Sequence, residues 1–245
     1  MIKPLIKRLI PPFGKRWLKK AGLLKDFIPE PGQVYFGDLN RLKPFNNNFG
    51  YERGGPIDRY YIESFFQQES ASIKGRVLDI GDNEYTMRYG GAKVTQSDIL
   101  HIDSSNPRAT FVGDLSNAPH IPDNLFDCII LAQTLHLIYD FKGAIRTCHR
   151  LLKPGGTLLL TVPYITSIDE GAWNSIWYWA FTRQAMQKLM EEEFPSARVE
   201  VSSKGNVYAA TAFLYGMGLS EVDKQKLSHQ DPQIQMVVSV KAVKA

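Results

Sequence analysis

Three acidic residues, each closing a short apolar or strand-like run, constrain this chain more than any other feature. Val77-Leu78-Asp79-Ile80-Gly81 ends in an acid and a glycine. Ala92-Lys93-Val94-Thr95-Gln96-Ser97 leads into Asp98, and Val112-Gly113 leads into Asp114-Leu115. Two further apolar runs follow, Phe126 to Leu131 and Thr157 to Val162, the second introduced by Leu151-Leu152-Lys153-Pro154-Gly155-Gly156. The apolar runs are continuous rather than alternating, as in strands buried on both faces of a sheet. The pattern predicts strands at 76–80, 93–97, 110–112, 126–131 and 156–162, with helices at about 84–90 and 141–152. That is an α/β fold with a mostly parallel sheet. Such a sheet takes its ligand beyond the carboxyl ends of its strands, at the switch point of strand order. The sequence puts Asp79, Asp98 and Asp114 at three such ends.

The flanks are less regular. After Pro56, Ile57, Tyr60, Tyr61 and Phe65 recur at i, i+3, i+4 and i+8, which predicts a helix over 57–70. A second helix is predicted at 182–193, with Thr182 as N-cap. Val199–Val207 and Ile234–Val243 read as two last strands. Residues 26–56 are rich in Pro, Gly and Asn, which predicts loops and turns. The division expected from composition is a basic, loop-rich extension over 1–56 and an α/β domain over 57–245.

A chain of 245 residues, 44% hydrophobic, suits one α/β domain with a sizeable core. No apolar run approaches the ~18–20 residues that span a bilayer. The N-terminus is basic but lacks an uninterrupted apolar core and a small-residue cleavage site, so no secretory signal is expected. The two cysteines, Cys128 and Cys148, fit neither a disulfide framework nor a zinc site, and the histidines show no metal-ligand spacing. A cytoplasmic location and no bound metal are expected.

Net charge is +4, yet residues 1–25 carry eight Lys or Arg and no acid, leaving about −4 for 26–245. The body is therefore no basic nucleic-acid binder. The arm also holds Leu5, Ile6, Leu9, Ile10, Phe13 and Trp17, interrupted by Pro11-Pro12. It reads as a solvated arm docked on the body, as a peripheral contact with the inner face of a membrane, or as a partner-binding segment.

The order of strand-end acids, with Leu-Lys-Pro-Gly-Gly before the fifth strand, resembles the class I S-adenosylmethionine-dependent methyltransferases, in particular their type 11-like branch. The resemblance covers about 75–165 well. It implies a Rossmann-like, mostly parallel seven-stranded sheet with the last strand antiparallel, and S-adenosyl-L-methionine as cofactor. By that resemblance Asp79 contacts the amino-acid end of the cofactor, and Gly81, Asp82 and Asn83 form the turn beside it. Asp98, followed by Ile99, takes the ribose hydroxyls. Asp114 and Leu115 flank the adenine, and Gln133 lies near the methionine moiety. The family's turn is acidic-x-Gly-x-Gly-x-Gly; here the second and third glycines are absent. Asp82 and Asn83 tolerate left-handed backbone and can keep the turn. An acidic turn also argues against a nicotinamide-binding Rossmann protein, because Asp82 and Glu84 would repel a pyrophosphate.

The segments Phe49 to Glu63 and Gly81 to Thr86 resemble methyltransferases associated with glycosyltransferases and surface-polysaccharide assembly. By that resemblance the reaction is O-methylation of a sugar hydroxyl on a glycan or glycoconjugate precursor. Arg59, Tyr60 and Tyr61 are candidates for a substrate-covering lid, or for tyrosines packed on the sheet. A hydroxyl acceptor calls for a base. His136, just after the fourth strand, is one candidate, or else a structural histidine; Tyr164 and Asp169, after the fifth, are the others. Trp173, Trp177, Tyr178 and Trp179 are expected mostly in the core, with one or two lining an acceptor pocket. Two alternatives stay open: a binding or scaffold subunit that no longer catalyses, and a methyltransferase acting on a lipid or small metabolite.

Overall fold

The computed structural model describes residues 28–194 and 198–245, together with Pro11, Gly14, Trp17 and Leu18. The arm's expected membrane or partner contact falls almost wholly outside the described residues. The chain divides into two compact units, Met1–Leu42 and Lys43–Ala245. The described part of the first contains one 3-10 turn, Gly37–Leu39. The boundary drawn from composition at residue 56 thus lies within the second unit. Residues 45–56 join that unit through Phe45 N–H to Tyr215 O (2.8 Å), Leu219 N–H to Gly55 O (2.9 Å) and a Pro56–Gly218 bridge. Among the described residues no helix is long and apolar enough to cross a membrane.

The second unit is built on a seven-stranded sheet of order β3-β2-β1-β4-β5-β7-β6. The strands are β1 (Gly75–Ile80), β2 (Val94–His101), β3 (Phe111–Val112), β4 (Phe126–Ala132), β5 (Leu152–Pro163), β6 (Arg198–Lys204) and β7 (Val237–Val243). Strand β7 runs antiparallel to both neighbours; the other pairings are parallel. The helices are α1 (Asp58–Gln68), α2 (Phe141–Leu151), α3 (Arg183–Glu193), α4 (Val207–Leu214) and α5 (Lys224–Ser228).

The continuous apolar runs have their cause in this layering. Leu78, Ile129, Leu131, Leu158 and Leu160 point to one face, against Ile145 and Cys148 of α2 and Met186 and Met190 of α3. Val77, Cys128, Ile130 and Leu159 alternate with them and point to the other, against Ile62 and Phe66 of α1 and Phe213 of α4. Side chains alternate with period two, so two cores need both sets apolar. Thr182 caps α3 as its sequence predicts, its side chain accepting from Ala185 N–H.

Several elements depart from the sequence reading: the helix expected at 84–90 is a π-helix over Thr86–Gly90, β5 already begins at Leu152, β7 begins only at Val237, and two further departures concern β2 and β6. Strand β2 does not stop before Asp98; it continues to His101, with Leu78 level with Asp98 and Ile80 level with Leu100. Strand β6 ends at Lys204, and Asn206 opens α4 by accepting from Ala209 N–H at 2.9 Å. Local side-chain capping there overrides the strand preference of the valines.

Candidate functional site

A cavity of about 420 Å³ lies at the carboxyl ends of the parallel strands, where order reverses between β1 and β4. Six of the nine residues expected to hold a cofactor line it: Asp79, Gly81, Asp82, Asp114, Leu115 and Gln133. His136 and Arg59 line it too.

Asp79 is buried at the end of β1. Its Oδ1 accepts from Ile80 N–H (3.0 Å) and its Oδ2 from Thr86 Oγ1 (3.0 Å). Burial pushes its carboxyl well above the usual carboxylate range, and the charge of Asp82 adds to this. Gly81 has φ of 92°, a left-handed conformation that suits glycine. Its carbonyl is held by Asn106 Nδ2 at 2.8 Å. Asp82 accepts from Glu84 N–H at 2.9 Å and so starts the helical turn that follows. Neither Asp82 nor Asn83 adopts the left-handed backbone expected from the sequence; the side-chain cap shapes the turn instead.

The acid assigned to the ribose is displaced. Asp98 is 0% exposed and grips Arg76 of β1, Oδ2 to Nε at 2.6 Å and Oδ1 to Nη2 at 3.3 Å. It sits in mid-strand, away from the cavity lining, and Ile99 is buried in the core. The true end of β2 presents His101 and Ile102 to the cavity instead. Asp103 stands beside them, its Oδ1 3.2 Å from His101 Nδ1. Asn83 also leaves the lining, donating to Ser97 Oγ at 3.1 Å.

Gln133 and His136 follow β4. Gln133 has φ of 47°, and its Nε2 is buried with no partner. Backbone held in that region costs on the order of 1–3 kcal/mol and persists only where surroundings enforce it. The enforcement comes from Gln133 N–H, which bonds Thr161 O at 2.9 Å. His136 is 2% exposed, and burial lowers its pKa to about 4, so the ring is neutral near pH 7. Its Nδ1 is buried without a partner, and its ring packs edge-on against Trp177, centroids 4.5 Å apart.

The remaining candidates, Tyr60, Tyr61, Tyr164 and Asp169, lie outside the cavity lining. Asp169 is itself absent from the lining; its Oδ2 accepts from Gly171 N–H (2.9 Å) and Trp173 N–H (3.1 Å), ordering the loop after β5 that brings Trp173 to the cavity. Tyr164 is also absent from the lining, its backbone N–H tied to Met236 O. Tyr61 is core, its hydroxyl donating to Leu227 O at 3.1 Å, and Tyr60 packs edge-on against it. Of the aromatic cluster, Trp173 and Trp177 line the cavity, Trp179 packs on the core, and Tyr178 is 45% exposed.

Sequence reasoning missed Phe49, Asp58, His101 and Ile102. Phe49 stacks between Trp177 and Phe213, each 6.1 Å away, with φ of 51°. Asp58 Oδ1 is buried with no partner. Burial raises its carboxyl pKa, while Arg59 lowers it. Arg59 donates to the hydroxyls of Tyr85 and of Tyr51, the latter at 3.1 Å.

The sheet order, the antiparallel β7 and a cavity at the β1/β4 switch are those of a Rossmann-like class I methyltransferase fold. The family model described as "Methyltransferase domain" matches residues 79–160, from the β1 acid into β5. A probable S-adenosylmethionine-dependent methyltransferase of Mycolicibacterium smegmatis is 25% identical over 153 residues, 62% of this chain and 52% of that protein. A ubiquinone/menaquinone biosynthesis C-methyltransferase of Yersinia pestis is 32% identical over 87 residues, 36% of this chain and 32% of that one. The chain thus spans about half, or less, of the length of these curated relatives. Among solved structures, an S-adenosylmethionine dependent methyltransferase from Mesorhizobium loti has the same fold. It superposes with a TM-score of 0.52 at 15% identity, over 78% of this chain and 99% of that one.

Proposed function

We propose that this protein binds S-adenosyl-L-methionine in the cavity at the β1/β4 switch and transfers its methyl group to a hydroxyl of a carbohydrate acceptor. The observation that carries cofactor binding is a convergence. Of the four buried side-chain atoms without a partner among the described residues, three, Asp58 Oδ1, Gln133 Nε2 and His136 Nδ1, belong to residues that line this one cavity; the fourth is Ser239 Oγ. Buried polar groups are normally paired, so a ligand with both donors and acceptors suits the place. The acidic turn of Asp79 and Asp82 suits a cationic ligand that carries no phosphate. His101 with Asp103, and Asp114 with Leu115, would hold the ribose and adenine.

When bound, S-adenosylmethionine supplies an electrophilic methyl on a sulfonium, which an acceptor oxygen takes in an in-line displacement, the bonding pair staying with sulfur. Positioning therefore does most of the work. Phe49, Trp173 and Trp177 offer aromatic faces on which the apolar face of a sugar ring can lie. His136 then takes the hydroxyl proton. An alkylated hydroxyl is far more acidic than an imidazolium, so a neutral ring is a sufficient base even with its pKa near 4. By the resemblance of the 49–63 segment, the acceptor belongs to polysaccharide or glycoconjugate assembly.

The same aromatic wall favours a second reading, a flat quinol-like acceptor, in keeping with the relative named for ubiquinone and menaquinone biosynthesis. Calorimetry with S-adenosylmethionine, followed by radiolabelled methyl transfer to panels of saccharides and of quinols, separates the two. Transfer to a saccharide hydroxyl supports the first reading; transfer only to quinols replaces it. A folded sample that binds no cofactor sinks both.

A further inference from the structure

The first turn of α1 holds two neighbours of opposite charge, each with capacity that the fold leaves unused. Arg59 lines the cavity and donates to two tyrosine hydroxyls, those of Tyr85 and Tyr51. A guanidinium has five N–H donors, and among the described residues no carboxylate forms an ion pair with this one. Asp58 lines the same cavity, and its Oδ1 is buried without a donor. The two attract each other through space, Arg59 lowering the Asp58 carboxyl pKa, but no side-chain ion pair joins them and Asp58 Oδ1 keeps no donor.

The fold also aims them. Tyr85 lies in the segment after Gly81, and its ring stacks on Phe66 of α1 with centroids 4.5 Å apart. The Arg59 guanidinium, donating to the Tyr85 hydroxyl, ties the first turn of α1 to the same segment. This corner is built from elements other than the post-β5 loop that carries Trp173 and Trp177. A buried oxygen without a donor is costly, and two groups of opposite sign side by side match a ligand bearing both charges on one carbon. A phosphate would meet Asp58, Asp79 and Asp82 in the same lining.

We propose that Arg59 and Asp58 form a receptor for a zwitterionic amino-acid group, Arg59 taking the carboxylate and Asp58 the ammonium. The inference rests on the methyltransferase reading, in which that group is the amino-acid end of the cofactor. It moves Arg59 from the acceptor side, where the sequence places it, to the cofactor side.

Two ligands test it. S-adenosylhomocysteine carries the amino-acid group; 5′-methylthioadenosine keeps the nucleoside and the thioether but lacks it. Titration calorimetry on the full chain should show the first binding about 100-fold tighter or more. Arg59→Met, which keeps the aliphatic stem, should weaken S-adenosylhomocysteine on the order of 100-fold and leave 5′-methylthioadenosine within about 3-fold. Asp58→Asn should weaken S-adenosylhomocysteine about tenfold with the same selectivity. Retained 5′-methylthioadenosine binding reports a folded variant. Arg59→Met overturns the proposal if it leaves S-adenosylhomocysteine binding unchanged or weakens both ligands alike. Wild-type protein that binds both ligands equally overturns the receptor and leaves the methyltransferase reading standing. Wild-type protein that binds neither overturns that reading and this proposal with it.

Discussion

Asp98 of β2 holds the guanidinium of Arg76 across the β1–β2 boundary, Oδ2 to Nε at 2.6 Å, with the carboxylate wholly buried and the arginine side chain 27% exposed. The arginine also lies over the ring of Phe126, 5.5 Å from its centroid. Removing one partner of a buried pair strands the other charge, at a cost of about 3–5 kcal/mol. Asp98→Ala is therefore expected to lower unfolding free energy in urea by about that much. Calorimetry on the folded fraction should show S-adenosylhomocysteine affinity within about 2-fold of wild type. A large loss of affinity with unchanged stability would return Asp98 to the ligand.

The buried His136 ring makes stability depend on pH in a definite direction. Its pKa falls from 6.5 to about 4 on folding, so below pH 6.5 the unfolded chain takes up a proton that the folded chain refuses. Stability from this residue is therefore lost as pH falls from 6.5 towards 4, and is unaffected above 6.5. The loss is on the order of 3 kcal/mol. Urea unfolding of wild type and His136→Phe across pH 4–7 should show the difference narrowing as pH rises. In turnover, the wild-type rate should show no step near 6.5, and His136→Phe should lower kcat by about 100-fold while sparing cofactor affinity.

Trp177 touches both His136 and Phe49, and so joins the candidate base to the segment before α1. Trp177→Ala is expected to reduce kcat/KM for the acceptor by on the order of tenfold or more, with cofactor affinity within about 2-fold. Steady-state kinetics with the acceptor varied at saturating cofactor decides it.

Gly216 secures the 45–56 segment. Its φ is +68°, and a Cβ there would lie 1.9 Å from Asn46 O. Backbone cannot yield as a flexible side chain does, so Gly216→Ala should push residues 45–56 off their seat. The expected result is a stability loss of about 2–4 kcal/mol and new protease cleavage within 43–56. Unchanged cleavage would show that the segment is held elsewhere.

The strands were legible because two-faced burial leaves unbroken apolar runs; the glycine-poor turn was not, since neither Asp82 nor Asn83 takes the left-handed backbone expected of it and Asp82 caps the following turn instead. Asp79, Asp114, Gln133 and His136 line the cavity because each follows a strand whose end the sequence marks. Asp98 was misplaced for a physical reason. The polar Ser97-Asp98 pair looks like a strand end, while the next residues, Ile99 and Leu100, are buried and carry the strand on. Only the register, with Arg76 on the neighbouring strand, shows why an acid stands inside a sheet. Phe49 and Asp58 lie in the 49–63 segment that the sequence singles out, but their individual places were not legible there, since these depend on parts of the chain distant in sequence, such as Trp177 and Phe213 around Phe49. Asn206 did carry one, a side chain three residues before Ala209 able to cap a helix, and the valines around it hid it.

Strand β7 comes last of the seven in sequence yet lies between β5 and β6, pairing Thr157–Pro163 on one side and Arg198–Lys204 on the other. During synthesis, then, β6 leaves the ribosome before the strand it needs exists. Until residues 237–243 emerge, the sheet ends at β5, with the apolar edge of Leu158–Val162 uncovered. A nascent chain paused before that point would be a natural client for a chaperone that shields exposed strand edges.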